Sequence, residues 1–123
     1  MEEPRFAHPV ERALAQAFDE LGIEWRYEPR TFPLEWRDGV MVEACTPDFY
    51  LPELDMYVEC TVMKQRLVHK KNRKYRKLRK RFGVVVEIMY RRDFIRLGQS
   101  HGLPELERAA RRGTPEQERQ AEA

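Results

Sequence analysis

The sequence predicts an α/β fold, a central mixed sheet flanked by helices, in the order helix, two or three antiparallel strands, basic helix, buried strand. Three observations carry that expectation. Val10, Leu14, Ala17, Phe18 and Leu21 recur at helical spacing near the N-terminus. Residues 31–62 break into short runs rich in β-formers, separated by turn residues. Leu67, Tyr75, Leu78 and Phe82 then share one helical stripe, directly ahead of the apolar run Val84 to Tyr90.

Each element has its own signals. The first helix opens near His8-Pro9, with proline suited to the first turn, and runs to Leu21, where Gly22 ends it. Ile23 to Glu28 alternates and reads as a short edge strand closed by Pro29. Thr31 to Trp36 and Val40 to Ala44 are joined by Arg37-Asp38-Gly39, and Asp-Gly is among the strongest hairpin signals. Phe49-Tyr50-Leu51 follows Thr46-Pro47-Asp48, and the turn Pro52 to Asp55 leads into a strand from Met56 to Val62. The basic helix comes next and Gly83 terminates it. Val84 to Tyr90 reads as a buried central strand, reached by a right-handed crossover. Arg92 to Leu97 and Pro104 to Arg112 predict two short helices. Residues 1–112 therefore form one domain, and residues 113–123, polar and without apolar anchors, predict a disordered tail.

Composition bounds the function. The chain has 123 residues, 41% of them hydrophobic, enough for one core. No run reaches the roughly 18 apolar residues of a membrane span, and Met1-Glu-Glu-Pro-Arg5 lacks the order of a secretory signal, so a soluble cytoplasmic protein is expected. Cys45 and Cys60 show neither disulfide nor metal spacing, which predicts two reduced thiols, and His8, His69 and His101 lack zinc spacing. The net charge of +2 conceals a strong asymmetry. Eleven Lys or Arg and no acid lie between Lys64 and Arg81, which leaves 12 basic against 21 acidic residues elsewhere, a +11 segment in a −9 remainder. A folded helix of that polarity suits a polyanion, DNA first and RNA also, with Arg66, Lys70, Arg73, Lys74, Arg76, Lys77 and Lys80 on the backbone. A membrane surface would need a bulkier apolar face. Docking of an acidic protein is the competing use.

Two acids stand where chemistry is possible. Asp48 precedes one strand, Glu59 lies inside the next, and only a short turn separates the strands. Neighbouring carboxylates repel unless a cation lies between them, and hard oxygen donors favour Mg²⁺ or Mn²⁺. The plainer alternative makes Asp48 a turn cap and Glu59 an outward strand residue. Against that, Tyr57-Val58 and Cys60 flank Glu59, so it interrupts a buried strand, where an unpaired acid is costly. Glu11 borders the inward face of the first helix and is a third candidate ligand, with the helix dipole as its alternative role.

Pro47-Asp48, Glu59 within Tyr57-Val-Glu-Cys-Thr61, and the element order over residues 8–90 resemble the PD-(D/E)xK nuclease superfamily, with its restriction-endonuclease-like αβββαβ core. The stretch from Glu11 to Pro29 is similar to its resolvase, very-short-patch-repair and transposon-endonuclease branches. The resemblance implies that Asp48 and Glu59 bind divalent metal, with Glu11 as a direct or water-mediated ligand. It also implies a lysine two residues after the glutamate, where this chain has Thr61. Lys64 and Lys71 lie on the inward stripe of the basic helix, so Lys64 is the first candidate for the displaced lysine and Lys71 the second. Snorkelling is the alternative for Lys71. Gln65 resembles the glutamine that some branches place early in this helix to hold a water or the substrate. The expected activity is metal-dependent endonucleolytic hydrolysis of DNA, structure-selective at junctions, flaps or mismatches. A homodimer fits paired cuts. The rival expectations are an inactive nucleic-acid-binding module of the same fold and a protein-interaction domain.

Overall fold

Helix and strand signals in the sequence resolve into ten elements in the computed structural model, which describes residues 3–62 and 65–112. In chain order these are α1 (Pro9–Glu20), β1 (Arg26–Tyr27), β2 (Phe32–Arg37), β3 (Val40–Cys45), β4 (Phe49–Leu51), β5 (Met56–Thr61), α2 (Gln65–Phe82), β6 (Val86–Tyr90), α3 (Arg91–Ser100) and α4 (Pro104–Arg111). The expected polar tail at 113–123 lies outside the described residues, as do Met63 and Lys64. The protein is a mixed α/β structure whose larger sheet is mixed. The described residues divide into two compact units, residues 3–23, 60–62 and 89–112 forming one, and residues 24–59 and 65–88 the other.

The first unit is helical. The His8 imidazole accepts the Val10 N–H at 3.1 Å and caps α1, with Pro9 in the first turn. Val10, Leu14, Ala17 and Phe18 are buried as the spacing requires, whereas Leu21, expected on that stripe, is 42% exposed. Leu21 is the C-cap, and Gly22 at φ 72° turns the chain away after it. The Asp93 carboxylate accepts the Tyr90 N–H at 2.8 Å and closes the start of α3. Helices α3 and α4 cross closely at Gly98, where an added Cβ would lie 2.9 Å from the Leu103 carbonyl oxygen and 3.0 Å from the Glu107 nitrogen.

The second unit carries the strands and the basic helix. Its four-stranded sheet has the order β1-β4-β5-β6, and β2 and β3 form a separate two-stranded sheet. The hairpin turn is the one the sequence predicts: Asp38 and Gly39 adopt φ 51° and 77°, the two left-handed residues of a type I′ turn, between the paired Arg37 and Val40. Strands β4 and β5 are antiparallel, with Phe49 opposite Val58 and Leu51 opposite Met56. Val84 to Tyr90, read from sequence as a central strand, ends the sheet order instead. It is approached through the Tyr57 N–H, which donates to the Val85 carbonyl at 2.8 Å. The apolar run reflects contact with the core on one side, since Val86 is buried while Val85 is 56% exposed.

A core of Phe32, Leu34, Cys45, Tyr57, Tyr75, Leu78 and Val86 lies within this unit. Phe32 meets Tyr57 edge-on at 5.4 Å and Phe82 at 5.0 Å. The inward stripe of α2 differs from the expected one at both ends, since Phe82, expected on it, is 37% exposed. Val68, not Leu67, is buried, and Leu67 is 45% exposed. The stripe therefore runs Val68, Lys71, Tyr75, Leu78, at spacings of three and four, and a lysine occupies one of its apolar positions.

Candidate active site on strands four and five and the basic helix

The register of β4 and β5, continued one step past Phe49 and Val58, brings Asp48 opposite Glu59. Both are buried, at 9% and 6% exposure. The Asp48 backbone N–H donates to Glu59 Oε1 at 3.1 Å. On the other oxygen, Lys71 Nζ lies 2.6 Å from Oε2, with only 17% of the lysine side chain exposed. The Tyr75 hydroxyl, one turn further along α2, hydrogen-bonds to Glu59 and to Cys45. Glu59 is thus a buried carboxylate held by a backbone amide, an ammonium and a phenol, which is how a charge survives out of water.

The electrostatics follow from that burial. Desolvation, reinforced by the Glu59 charge, raises the Tyr75 phenol far above its ordinary range, so Tyr75 is a permanent neutral donor. Desolvation also raises the Cys45 thiol, which makes Cys45 a core thiol and no nucleophile. Cys60 is buried as well, and neither cysteine is in a disulfide.

Of the residues singled out by sequence, Asp48, Glu59 and Lys71 are brought together. Glu11 stands on α1 in the first unit, 6% exposed. Lys64 lies outside the described residues, as do the side chains of Gln65 and Arg66, whose backbones open α2. Thr61, two residues after Glu59, closes β5 and is 2% exposed. From sequence, Tyr75 reads only as a core residue. Its position four residues after Lys71 is the available signal for a hydroxyl beside Glu59.

No family model, curated protein or solved structure matches the chain.

The donors present suit a hard cation in kind. Asp48 and Glu59 are oxygen ligands, and Mg²⁺ is commonly held by one or two carboxylates, with waters and substrate phosphates completing its shell. Among the described residues there is no group of three or more His, Cys, Asp or Glu able to hold a metal ion. Asp48 and Glu59 are the two oxygen-donor side chains on the paired ends of β4 and β5.

The outward face of α2 presents Lys70, Arg73, Arg76 and Lys80, all exposed. Lys74 is half-buried. Lys77, expected on nucleic acid, pairs with Glu43 at 3.0 Å, and its hydrogen bond holds the Glu43 carboxyl below the ordinary range. Two further cations of the block serve the fold: Arg79 donates to the Val86 carbonyl at 2.6 Å, and Arg81 to that of Leu34. Aromatic side chains of the strands, of a kind that can stack on bases, divide similarly. Trp25 and Tyr27 sit edge-on to Phe49, Tyr50 packs on Tyr57, and Trp36 is 60% exposed. No described helix is long and apolar enough to cross a membrane.

Proposed function

We propose that this chain is a metal-dependent endonuclease acting on DNA, with a restriction-endonuclease-like core, in which Lys71 stands in for the lysine absent at Thr61. The observation that carries the reading is the Lys71 ammonium, 2.6 Å from the buried Glu59 carboxylate beside Asp48. In this reading Asp48 and Glu59 would hold Mg²⁺ or Mn²⁺, which would supply Lewis-acid charge at the scissile phosphate. Lys71 reaches the site from the helix and offers its ammonium to negative charge developing on the phosphate. Tyr75 keeps Glu59 in place by donating to it. Lys70, Arg73, Arg76 and Lys80 fix the DNA backbone, contacts that carry affinity without sequence information. Structure selectivity, at a junction, flap or mismatch, follows from that division.

The second reading is an inactive nucleic-acid-binding module, and a specific observation favours it: both oxygens of Glu59 already have protein donors. Cleavage of a labelled panel of duplex, single-stranded, flap and four-way-junction DNA separates the two. The proposal expects cleavage with Mn²⁺ or Mg²⁺ that is lost in Asp48→Ala and Glu59→Ala and falls at least about a hundredfold in Lys71→Ala, the scale of one transition-state charge contact. Salt-sensitive binding with no cleavage of any substrate establishes the inactive module instead.

A further inference from the structure

We propose that Lys71 is a built-in counter-ion that changes partners: it neutralises Glu59 in the metal-free chain, and it leaves Glu59 for a phosphate when a divalent cation takes the carboxylate. This use of Lys71 rests on the reading of Asp48 and Glu59 as metal ligands, and it sets how that site is regulated. Glu59 has three donors that differ in kind. The Asp48 N–H, 3.1 Å from Oε1, belongs to the backbone just ahead of β4 and cannot leave. The Tyr75 hydroxyl is neutral, on a residue 2% exposed within the core. Lys71 alone brings a charge, with its Nζ 2.6 Å from Oε2. An amide and a phenol do not repel a metal ion. An ammonium on the same carboxylate oxygen does, because the two are like charges a few ångströms apart.

The side chains also differ in freedom. Glu59 is 8% exposed and held on both oxygens, whereas 17% of the Lys71 side chain reaches solvent. Its stem lies in the stripe between the buried Val68 and Tyr75, and the four-carbon chain can carry the ammonium outward by rotation about its own bonds while α2 stays in place. Lys71 is therefore the member of the pair that moves. Charge balance names its next partner. Counting the carboxylates as anions, Asp48, Glu59 and Lys71 together carry one net negative charge. A divalent cation turns that into one net positive charge, and a single phosphodiester anion balances it. Release of Lys71 also opens Oε2, the Glu59 oxygen on which it sits. The protein donors on Glu59 are then no bar to a metal, since the one that occupies Oε2 is the one that can leave.

Two measurements on the full chain, neither of them activity, test this. In calorimetric titration with Mn²⁺, Lys71→Met should bind at least about tenfold more tightly than wild type, because no ion pair has to break. In the wild-type chain, lysines are acylated with a succinimide ester at constant pH and counted by peptide mass spectrometry. Lys71 should react slowly without Mn²⁺ and several-fold faster with it, while the exposed Lys70 and Lys80 keep their rates. Glu59→Gln should make Lys71 fast under both conditions, and Asp48→Ala should keep it slow under both. The wild-type labelling decides the matter even if Lys71→Met does not fold. Equal Mn²⁺ affinity in wild type and Lys71→Met, or a Lys71 rate unchanged by Mn²⁺ that demonstrably binds, would overturn the exchange of partners and leave Asp48 and Glu59 as ligands. No Mn²⁺ binding by either chain would overturn the metal reading itself, and the exchange with it.

Discussion

Lys71 occupies a position on α2 whose neighbours in the stripe are apolar, and the acid it meets there is one that the sequence marks for chemistry. Removing it leaves Glu59 buried without that cation. Lys71→Met should therefore destabilise the protein by about 3–5 kcal/mol, and Lys71→Met combined with Glu59→Gln should recover much of that loss, because the second change removes the stranded charge. Urea denaturation of the two single variants and the double variant measures it. A Lys71→Met variant as stable as wild type would show that the pair adds nothing to the fold. Tyr75 and Cys45 make a pH prediction. Burial raises both groups, so the stability they contribute is complete below their ordinary values and is lost as the pH climbs beyond them. Stability should hold through neutrality and decline above about pH 8.5, more steeply above about pH 10, by about 1.4 kcal/mol per pH unit for each group. In Tyr75→Phe the alkaline slope should be shallower by one such increment. An identical slope would mean that Tyr75 ionises in the folded state as freely as in the unfolded chain.

At the scale of elements, the α3–α4 crossing and the outward face of α2 make separate claims. Gly98 permits the close approach of two backbones, which cannot yield as a side chain can. Gly98→Ala should cost about 1–3 kcal/mol despite the better helix propensity of alanine, read as a fall in thermal midpoint. For α2, the logarithm of the DNA association constant should fall linearly with the logarithm of salt concentration. Replacing Lys70, Arg73, Arg76 and Lys80 by alanine should flatten that slope by about 0.9 for each phosphate no longer neutralised. The same replacement of Lys77 should matter less, because its ammonium is committed to Glu43. Elements were legible in the sequence wherever local chemistry decides them. Asp38-Gly39 specified a type I′ turn, and Pro9 and Gly22 bracketed α1. The stripe of α2 was legible in its middle, at Tyr75 and Leu78; at its first turn Leu67 and Val68 are both apolar and adjacent and only packing selects Val68, and at its end Phe82 is exposed. The placement of β6 at the end of the sheet was not legible, since an apolar run signals burial and says nothing of strand order.

For the whole molecule, a net charge of +2 disguises a division of labour within the basic block. Lys77, Arg79 and Arg81 bind acceptors of the protein itself, Lys71 neutralises a buried acid, and Lys70, Arg73, Arg76 and Lys80 remain exposed along one face. Sequence counts charges without finding their partners, so Lys77 reads as a nucleic-acid contact and the roles of Arg79 and Arg81 go unassigned. The candidate site was legible in its acids, because Pro47-Asp48 and a glutamate inside a buried strand are unusual in kind and position. The contact of Lys71 with Glu59 was not, as it depends on how the helix is rotated about its axis; Lys64 lies outside the described residues. That rotation sets Lys71 on Glu59, and the proposed chemistry rests on those two residues together with Asp48. Its most direct test is a crystal soaked in Mn²⁺ and measured at the manganese edge. Anomalous density bridging the Asp48 and Glu59 carboxylates, with Lys71 beside it, is the expected result; crystals that take up manganese elsewhere, or not at all, while Lys71 keeps its contact with Glu59, would contradict it.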